Sequence, residues 1–291
     1  MKSIIAFVLI VVILILSGCN AQTAMKPPQT DEIPKENTVR EPELTTPPPD
    51  SVPENPIPLP DPLPVDPAEP DEVLTNEPIV RSYHMTSNYY IKPNNENDNK
   101  NIVLLTFDDG PKDEEMLTEL LDILDKHEAK AIFFVNGYRI KQKPELLKLI
   151  HERGQIIGNH SWDHINLKKE SREKINQQIE DVQTIVKELI GEPPLFFRPP
   201  NGAGNDDVLA KVKEEGMLYM TWSNGSLDWA DNIRKPQGVI NSVMEQLRPG
   251  SNILMHEVTW TVEALDELLT KIEEQGYSFV DPRAIELEAR K

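Results

Sequence analysis

The chain has a single cysteine, Cys19, among its 291 residues. One cysteine excludes a disulfide within the chain and a metal site built from several thiolates. Basic residues are also scarce, since 30 Lys and Arg stand against 49 Asp and Glu, for a formal net charge of −19. This negative charge argues against nucleic acid as a partner, and we predict that the protein binds none.

Large apolar side chains are rare in residues 19–80, which hold 16 of the 26 prolines and many Asp and Glu. Such a segment cannot bury enough apolar surface to offset the entropy cost of ordering it. We predict that 19–80 is a disordered Pro-rich linker, extended and partly of polyproline type. It is either a tether with a specific task or an acidic spacer without a partner.

The first 18 residues resemble a targeting segment. A basic start, Met1-Lys2, precedes an almost wholly apolar run over 4–16, which is short for a spanning helix and typical of a secretory signal peptide. The run Leu16-Ser17-Gly18-Cys19 resembles the bacterial lipobox, whose cysteine becomes the lipidated first residue of the mature chain. We therefore predict a lipoprotein signal peptide over 1–18 and a lipid anchor at Cys19. A cleaved signal with an incidental cysteine and an uncleaved anchor helix are the alternatives.

Two adjacent carboxylates follow an apolar stretch in the run Thr106-Phe107-Asp108-Asp109-Gly110-Pro111. The stretch 102–105 is typical of a buried strand, and Gly110-Pro111 ends it. Like charges this close together raise one pKa or require a cation. The pair therefore indicates either a metal ligand beside a general base or an acidic turn.

The second motif is His160-Ser161-Trp162-Asp163-His164, in a chain with only six histidines. Histidines at i and i+4 lie on the same face of a helical turn, where their imidazoles can share one cation. A polar helix can carry this spacing by coincidence. Together with Asp109, however, the pair supplies the His, His and carboxylate set of a catalytic zinc-type site with a position left for water.

Three further segments place polar groups at the ends of apolar runs. Arg198 follows Phe196-Phe197 and precedes a rigid Pro-Pro turn, Asp228 stands beside Trp229, and His256 ends the run 253–256. Each has an ordinary explanation as a surface charge, a helix cap or a core histidine. Five such segments in one chain are hard to explain by chance.

From residue 100 onward, apolar runs alternate with amphipathic patterns. Strands are predicted at 102–107, 131–136, 155–158, 195–198, 217–222, 252–256 and 277–280. Helices are predicted at 113–127, 143–152, 170–190, 205–215, 237–247 and 261–275. This alternation predicts an α/β fold with a parallel sheet and crossover helices, and seven strands indicate an incomplete (β/α)7 barrel over 81–291. Residues 79–92 are expected to begin the folded part as a cap or an edge strand.

The five motifs resemble those of the polysaccharide deacetylase family, also called the NodB-homology domain or carbohydrate esterase family 4. The resemblance covers about residues 100–281, in the family's order. It implies the NodB-type barrel and a divalent metal, commonly zinc, with cobalt or another divalent ion as the alternative. The implied roles are metal ligation by Asp109, His160 and His164, general-base catalysis by Asp108, and general-acid catalysis by His256. Arg198 would orient Asp108, Asp228 would support His256, and the backbone N–H of Asn201 would bind the oxyanion.

One position departs from the family, because Asn201 stands where an aromatic residue is usual. The backbone donor survives this change, while a sugar contact by an aromatic ring is lost, which affects substrate preference more than chemistry. Aromatic faces remain available, and we expect one or two of four tryptophans to contact substrate: Trp162, Trp222, Trp229 and Trp260.

The expected function is removal of N-acetyl groups from a cell-wall glycan, most plausibly peptidoglycan, by a monomeric, lipid-anchored enzyme that faces the wall. A chitooligosaccharide deacetylase or an O-acetyl polysaccharide deacetylase is an alternative, because the same residues could serve related acetyl groups. A wall-binding lipoprotein with vestigial catalytic machinery is a further alternative, which Asn201 favours and the intact motifs oppose.

Overall fold

A computed structural model of the chain describes residues 80–289. The predicted signal peptide, the lipidation site at Cys19 and the predicted linker, apart from Val80, lie outside the described residues. Among residues 80–289, no helix combines the length and the hydrophobicity required to cross a membrane.

Ten strands and seven α-helices alternate along the described chain. The strands are β1 Tyr83–Met85, β2 Ile91–Pro93, β3 Ile102–Gly110, β4 Ala131–Val135, β5 Ile156–Asn159, β6 Phe196–Phe197, β7 Leu218–Tyr219, β8 Asn224–Gly225, β9 Ser251–His256 and β10 Ser278–Phe279. The helices are α1 Glu114–Lys126, α2 Gly137–Gln142, α3 Pro144–Glu152, α4 Arg172–Ile190, α5 Asp206–Glu214, α6 Pro236–Gln246 and α7 Thr259–Glu274.

Seven parallel strands form a curled, open sheet in the order β7-β6-β5-β4-β3-β9-β8. The strand β10 pairs in parallel with only the first two residues of β3. The predicted α/β fold with an incomplete barrel is therefore confirmed. The seventh place in the row belongs to β8, which was not predicted, and not to the predicted strand at 277–280.

The central strand β3 is buried along almost its whole length, and β4 is buried at every residue. This matches the continuous apolar runs expected of parallel strands that are covered on both faces. The helices pack their apolar faces on the sheet, as Leu117, Leu120 and Leu124 of α1 do. Gly158 in β5 allows this close packing, since a Cβ there would lie 2.5 Å from the Phe134 ring.

The residues before the barrel form an antiparallel hairpin of β1 and β2. The backbone N–H of Ile91 donates to the carbonyl of Gly250, just before β9, at 2.8 Å. The segment predicted as a cap or edge strand is thus a two-stranded addition beside the barrel.

The polar motifs lie at the carboxyl ends of the parallel strands. Asp108 and Asp109 end β3, His160 follows β5, Arg198 follows β6 and His256 ends β9. In barrels of this kind the carboxyl ends of the strands face one side of the molecule, where active sites are built.

Candidate active site

A bulge at the end of β3 separates the two adjacent carboxylates. Asp108 pairs with Phe134 and Gly110 with the next residue, Val135, so that Asp109 has no partner in β4. The backbone of Asp109 is left-handed, with φ 67°. A bulge redirects side chains, and here Asp108 is buried while Asp109 is only partly so.

The two histidines lie in a loop after β5, and the predicted helical turn at 160–164 is wrong. Ser161 and His164 both have positive φ, 65° and 56°, which turns the chain back within a few residues. The Asn159 side chain accepts the Ser161 N–H at 2.9 Å, and Asn136 donates to the His160 carbonyl at 2.8 Å. The two rings still meet, with centroids 5.0 Å apart.

Asp109, His160 and His164 present their ligand atoms to one point, with all three atoms within 4.8 Å of one another. Asp109 Oδ1 lies 3.1 Å from His164 Nε2 and 3.5 Å from His160 Nε2. His160 Nδ1 lies 2.7 Å from the Arg198 carbonyl, to which it must donate, so its Nε2 carries a lone pair. Asp109 Oδ1 is buried and, among residues 80–289, has no hydrogen-bond donor in good geometry. Lone pairs that face each other in this way fit a divalent cation.

The electrostatics of these residues favour the ligand forms. Burial lowers the pKa of His160, against the opposing effect of Asp108 and Asp109, which favours the neutral imidazole that binds metals. Burial alone would raise the pKa of Asp109. The close His164 imidazole, with the positive charge that His160, His164 and His256 carry when protonated, outweighs burial and holds that pKa well below its usual range.

A buried guanidinium holds Asp108. Arg198 Nη1 donates to Asp108 Oδ1 at 2.6 Å and to Thr106 Oγ1 at 2.8 Å. Arg198 Nη2 donates to the Thr221 carbonyl at 2.8 Å and to Asn252 Oδ1 at 3.2 Å. The other oxygen of Asp108, Oδ2, lies 3.6 Å from His160 Nε2 and so borders the candidate metal site.

Asp228 supports His256 through two contacts. Its Oδ1 accepts from His256 Nδ1 at 2.7 Å, and its Oδ2 accepts the His256 backbone N–H at 2.8 Å. Thr261 Oγ1 also donates to Asp228 Oδ2 at 2.8 Å. Burial alone would lower the pKa of His256, but the Asp228 hydrogen bond and the charges of Asp228, Asp108 and Asp109 raise it. His256 is therefore biased toward the imidazolium form.

The two carboxylates of Asp108 and Asp109 and the three histidines border a cleft of about 410 Å³. That volume is within the usual range for small-ligand sites. Its lining residues are Asp108, Asp109, His160, His164, Asn201, Gly202, Trp222, Trp229, Leu254 and His256.

Two of the four tryptophans line the cleft, and two do not. Trp229 is 43% exposed and meets Trp222 edge-on, with centroids 6.3 Å apart. Trp260 donates from Nε1 to the Asp228 carbonyl, and Trp162 packs over Gly137. Trp229 and Trp222 are thus the tryptophan side chains that line the cleft.

Asn201 lies at the cleft in a short 3-10 turn, with φ 58°. Asparagine is among the residues that most readily adopt this left-handed backbone. The structure brings together every site residue named from the sequence except Cys19, which is outside the described part. Their catalytic roles stay predictions.

Some contributors were not predicted from the sequence. Thr106 and Asn252 accept hydrogen bonds from Arg198. The only indication of them in the sequence is that a polar residue interrupts an otherwise apolar strand. Glu257, directly after His256, is buried, and burial raises its pKa to about 7. The sequence feature that could have indicated Glu257 is a charged residue at the end of an apolar strand.

Comparison with known proteins assigns the family. The sequence pattern of the family described as polysaccharide deacetylase matches residues 95–220. The peptidoglycan-N-acetylmuramic acid deacetylase PdaA of Bacillus subtilis is 30% identical over 246 residues, covering 83% of this chain and 90% of PdaA. This chain belongs to the polysaccharide deacetylase family.

Solved structures of related polysaccharide deacetylases have the same fold. The Bc1960 peptidoglycan N-acetylglucosamine deacetylase is 32% identical, with a TM-score of 0.62, over 72% of this chain and 95% of that one. BA3943 of Bacillus anthracis, described as a CE4 family pseudoenzyme, is 33% identical, with a TM-score of 0.60. The match covers 63% of this chain, which spans 64% of BA3943.

The ligand set makes a direct prediction. His160→Ala should lose bound divalent metal, because it removes a fixed lone pair from a three-residue site. Metal content by mass spectrometry and titration calorimetry with Zn²⁺ would measure this. His151→Ala, which removes a histidine on α3 outside the site, is the matched control. Wild-type metal content in a folded His160→Ala protein would contradict the site.

Proposed function

We propose that this polysaccharide deacetylase is a metal-dependent hydrolase that removes N-acetyl groups from peptidoglycan amino sugars. The observation that carries the proposal is the position of Asp109, His160 and His164 in one cleft with Asp108 and His256. The activities named for PdaA and Bc1960 support the substrate class.

Hydrolysis of an acetamide requires an activated water, a stabilised oxyanion and a proton for the leaving amine. Asp109, His160 and His164 would hold the metal, with zinc the expected ion and cobalt or another divalent ion the alternative. When bound there, a divalent ion would supply an activated water, with a pKa of about 7, and Lewis-acid polarisation of the acetyl carbonyl.

Asp108 is the residue that removes the proton from water in this proposal. Its Oδ1 is held by Arg198, while Oδ2 points to the metal side, 3.6 Å from His160 Nε2. One oxygen is thus fixed and the other remains available as a base. Arg198 orients the carboxylate without touching the reacting atoms.

His256 is the residue that returns a proton to the leaving nitrogen. Its Nδ1–H is held by Asp228, so the proton for transfer is at Nε2. The raised pKa of His256 keeps the imidazolium present to higher pH than an unperturbed histidine would. Asn201 would supply a backbone N–H to the oxyanion, and Trp229 would contact the sugar.

BA3943 is described as a pseudoenzyme, so the alternative to test is that the catalytic machinery of this chain is vestigial. Acetate release from peptidoglycan, chitin oligomers and acetylated xylan by the purified, metal-loaded protein separates the readings. Release from peptidoglycan supports the proposal. Release only from chitin oligomers or xylan assigns one of the related deacetylase activities, and none from any substrate indicates vestigial machinery.

The two carboxylates should respond differently to amide substitution. Asp108→Asn should lower kcat by about 100-fold to 10,000-fold, because a general base is lost, while metal content stays near wild type. Asp109→Asn should lose the metal. Kinetics and metal analysis of both variants test the assignment, and equal loss of metal from both would show that Asp108 is also a ligand.

The pH profile tests the acid. Activity that depends on imidazolium is present below the pKa of His256 and is lost as pH rises through it. Asp228→Asn removes the charge that raises this pKa, so the alkaline limb of kcat should move to lower pH by about 1 unit. Asp231→Asn, in an exposed residue that pairs only with Arg234 among the described residues, is the control. An unmoved alkaline limb would exclude His256 as the acid held by Asp228.

We also propose a domain order of signal peptide at 1–18, linker at 19–80 and catalytic domain at 81–291. In this proposal Cys19 carries the lipid that anchors a monomeric enzyme outside the membrane, facing the wall. The lipobox-like run and the proline-rich composition support it.

The anchor proposal makes its own prediction. Cys19→Ala should abolish incorporation of labelled fatty acid, and the protein should then keep its signal or be shed into the medium. Fatty acid labelling followed by cell fractionation measures both effects. Labelling that persists in Cys19→Ala would contradict lipidation at this residue.

A further inference from the structure

Glu257 is a buried acid that takes no part in the proposed chemistry. It follows His256 directly and is only 1% exposed. One oxygen, Oε2, accepts the backbone N–H of Lys112 at 3.0 Å. The other, Oε1, is buried without a hydrogen-bond donor among the described residues.

The carboxyl group occupies the space beside Gly110 where a side chain would otherwise lie. A Cβ at position 110 would be 1.8 Å from Glu257 Oε1 and 2.7 Å from Cδ. Gly110 does not have positive φ, so its lack of a side chain serves this contact and not the backbone conformation. Glu257 and Gly110 are therefore a matched pair.

One hydrogen bond to Glu257 and two neighbouring hydrogen bonds hold the chain that follows Asp109. Lys112 donates its N–H to Glu257, and its carbonyl accepts from Lys143 Nζ at 2.6 Å. The Gly110 carbonyl accepts the Asn136 N–H at 3.1 Å. Asp109 itself has a left-handed backbone, a conformation that persists in a non-glycine residue only where its surroundings enforce it.

We propose that Glu257 is a positioning residue that holds the β3 bulge and thereby aims Asp109 at the metal site. The inference rests on the proposed function, because it treats Asp109 as a metal ligand. A carboxyl with one unpartnered oxygen is a poor choice for stability alone, since an apolar side chain would fill the same space without that cost. An apolar side chain at position 257 would, however, lack an acceptor for the Lys112 N–H.

The test compares three substitutions at position 257. Glu257→Gln keeps the shape and an acceptor for the Lys112 N–H, so metal affinity should stay near wild type. Glu257→Leu keeps much of the volume without the acceptor, and Zn²⁺ affinity should fall roughly 10–100-fold, the usual effect of losing support behind a ligand. Glu257→Ala should behave like Leu. Glu263→Leu, at an exposed position on α7, is the control.

Thermal unfolding separates this role from a merely structural one. Glu257→Leu should unfold at or above the wild-type temperature while metal affinity falls. A loss of affinity in proportion to a loss of stability would overturn the proposal, and so would wild-type affinity in both Leu and Ala variants.

A double mutant tests the matched pair. Gly110→Ala should reduce metal affinity through its clash with Glu257, and because Glu257→Ala removes that clash, the loss in the double mutant should be smaller than the product of the two single losses. If the losses of the two single variants simply multiply, the residues are not coupled and the inference fails.

One measurement remains decisive whether or not the protein binds metal. Hydrogen exchange at the Lys112 amide of the metal-free protein should be slow in wild type and Glu257→Gln and fast in Glu257→Leu. Slow exchange in all three overturns the positioning role. A wild-type protein that binds no Zn²⁺ and releases no acetate instead overturns the proposed function. The exchange result then tests only whether Glu257 holds the backbone at Lys112.

Discussion

The site is organised around the buried pair of Arg198 and Asp108. A guanidinium and a carboxylate with almost no solvent contact are costly unless they pair with each other and with further hydrogen-bond partners, and Arg198 has such partners at both Nη atoms, although not at Nε among the described residues. Arg198 therefore draws partners from several parts of the sheet: Thr106 in β3, the Thr221 carbonyl after β7 and Asn252 in β9. These strands are thereby held to one another beneath the cleft, which lies at their carboxyl ends.

The bulge at the end of β3 allows two adjacent carboxylates to lie at the same end of the sheet. In a regular strand Asp108 and Asp109 would point to opposite faces of the sheet. The bulge instead leaves both at the carboxyl end, with Asp108 against Arg198 and Asp109 against the histidines. Asp108 is thereby paired with a guanidinium, while Asp109 faces the two imidazoles, and only His160 lies near both carboxylates.

The sequence predicts the long elements because continuous apolar runs and helical periodicity depend on local pattern. It misses β8, since Asn224-Gly225 carries no strand propensity and pairs only because β9 lies beside it. The spacing of His160 and His164 correctly predicts that the two rings lie close together, but not the conformation of the chain between them. The chain turns back at Ser161 and His164, where φ is positive; Asn159 accepts the Ser161 N–H, and Asn136, 24 residues before His160, donates to the His160 carbonyl, contacts that the spacing of the two histidines does not encode.

Both histidines next to Asp108 use Nδ1 for support and leave Nε2 for the cleft, yet their charge states are biased in opposite directions. His160 donates to the neutral carbonyl of Arg198, which offsets little of the burial that lowers its pKa. His256 donates to the carboxylate of Asp228, which outweighs burial and raises its pKa. A neutral imidazole suits a metal ligand and an imidazolium suits a general acid. The partner at Nδ1, and not the residue type, therefore biases these identical side chains toward the different charge states that their two proposed roles require.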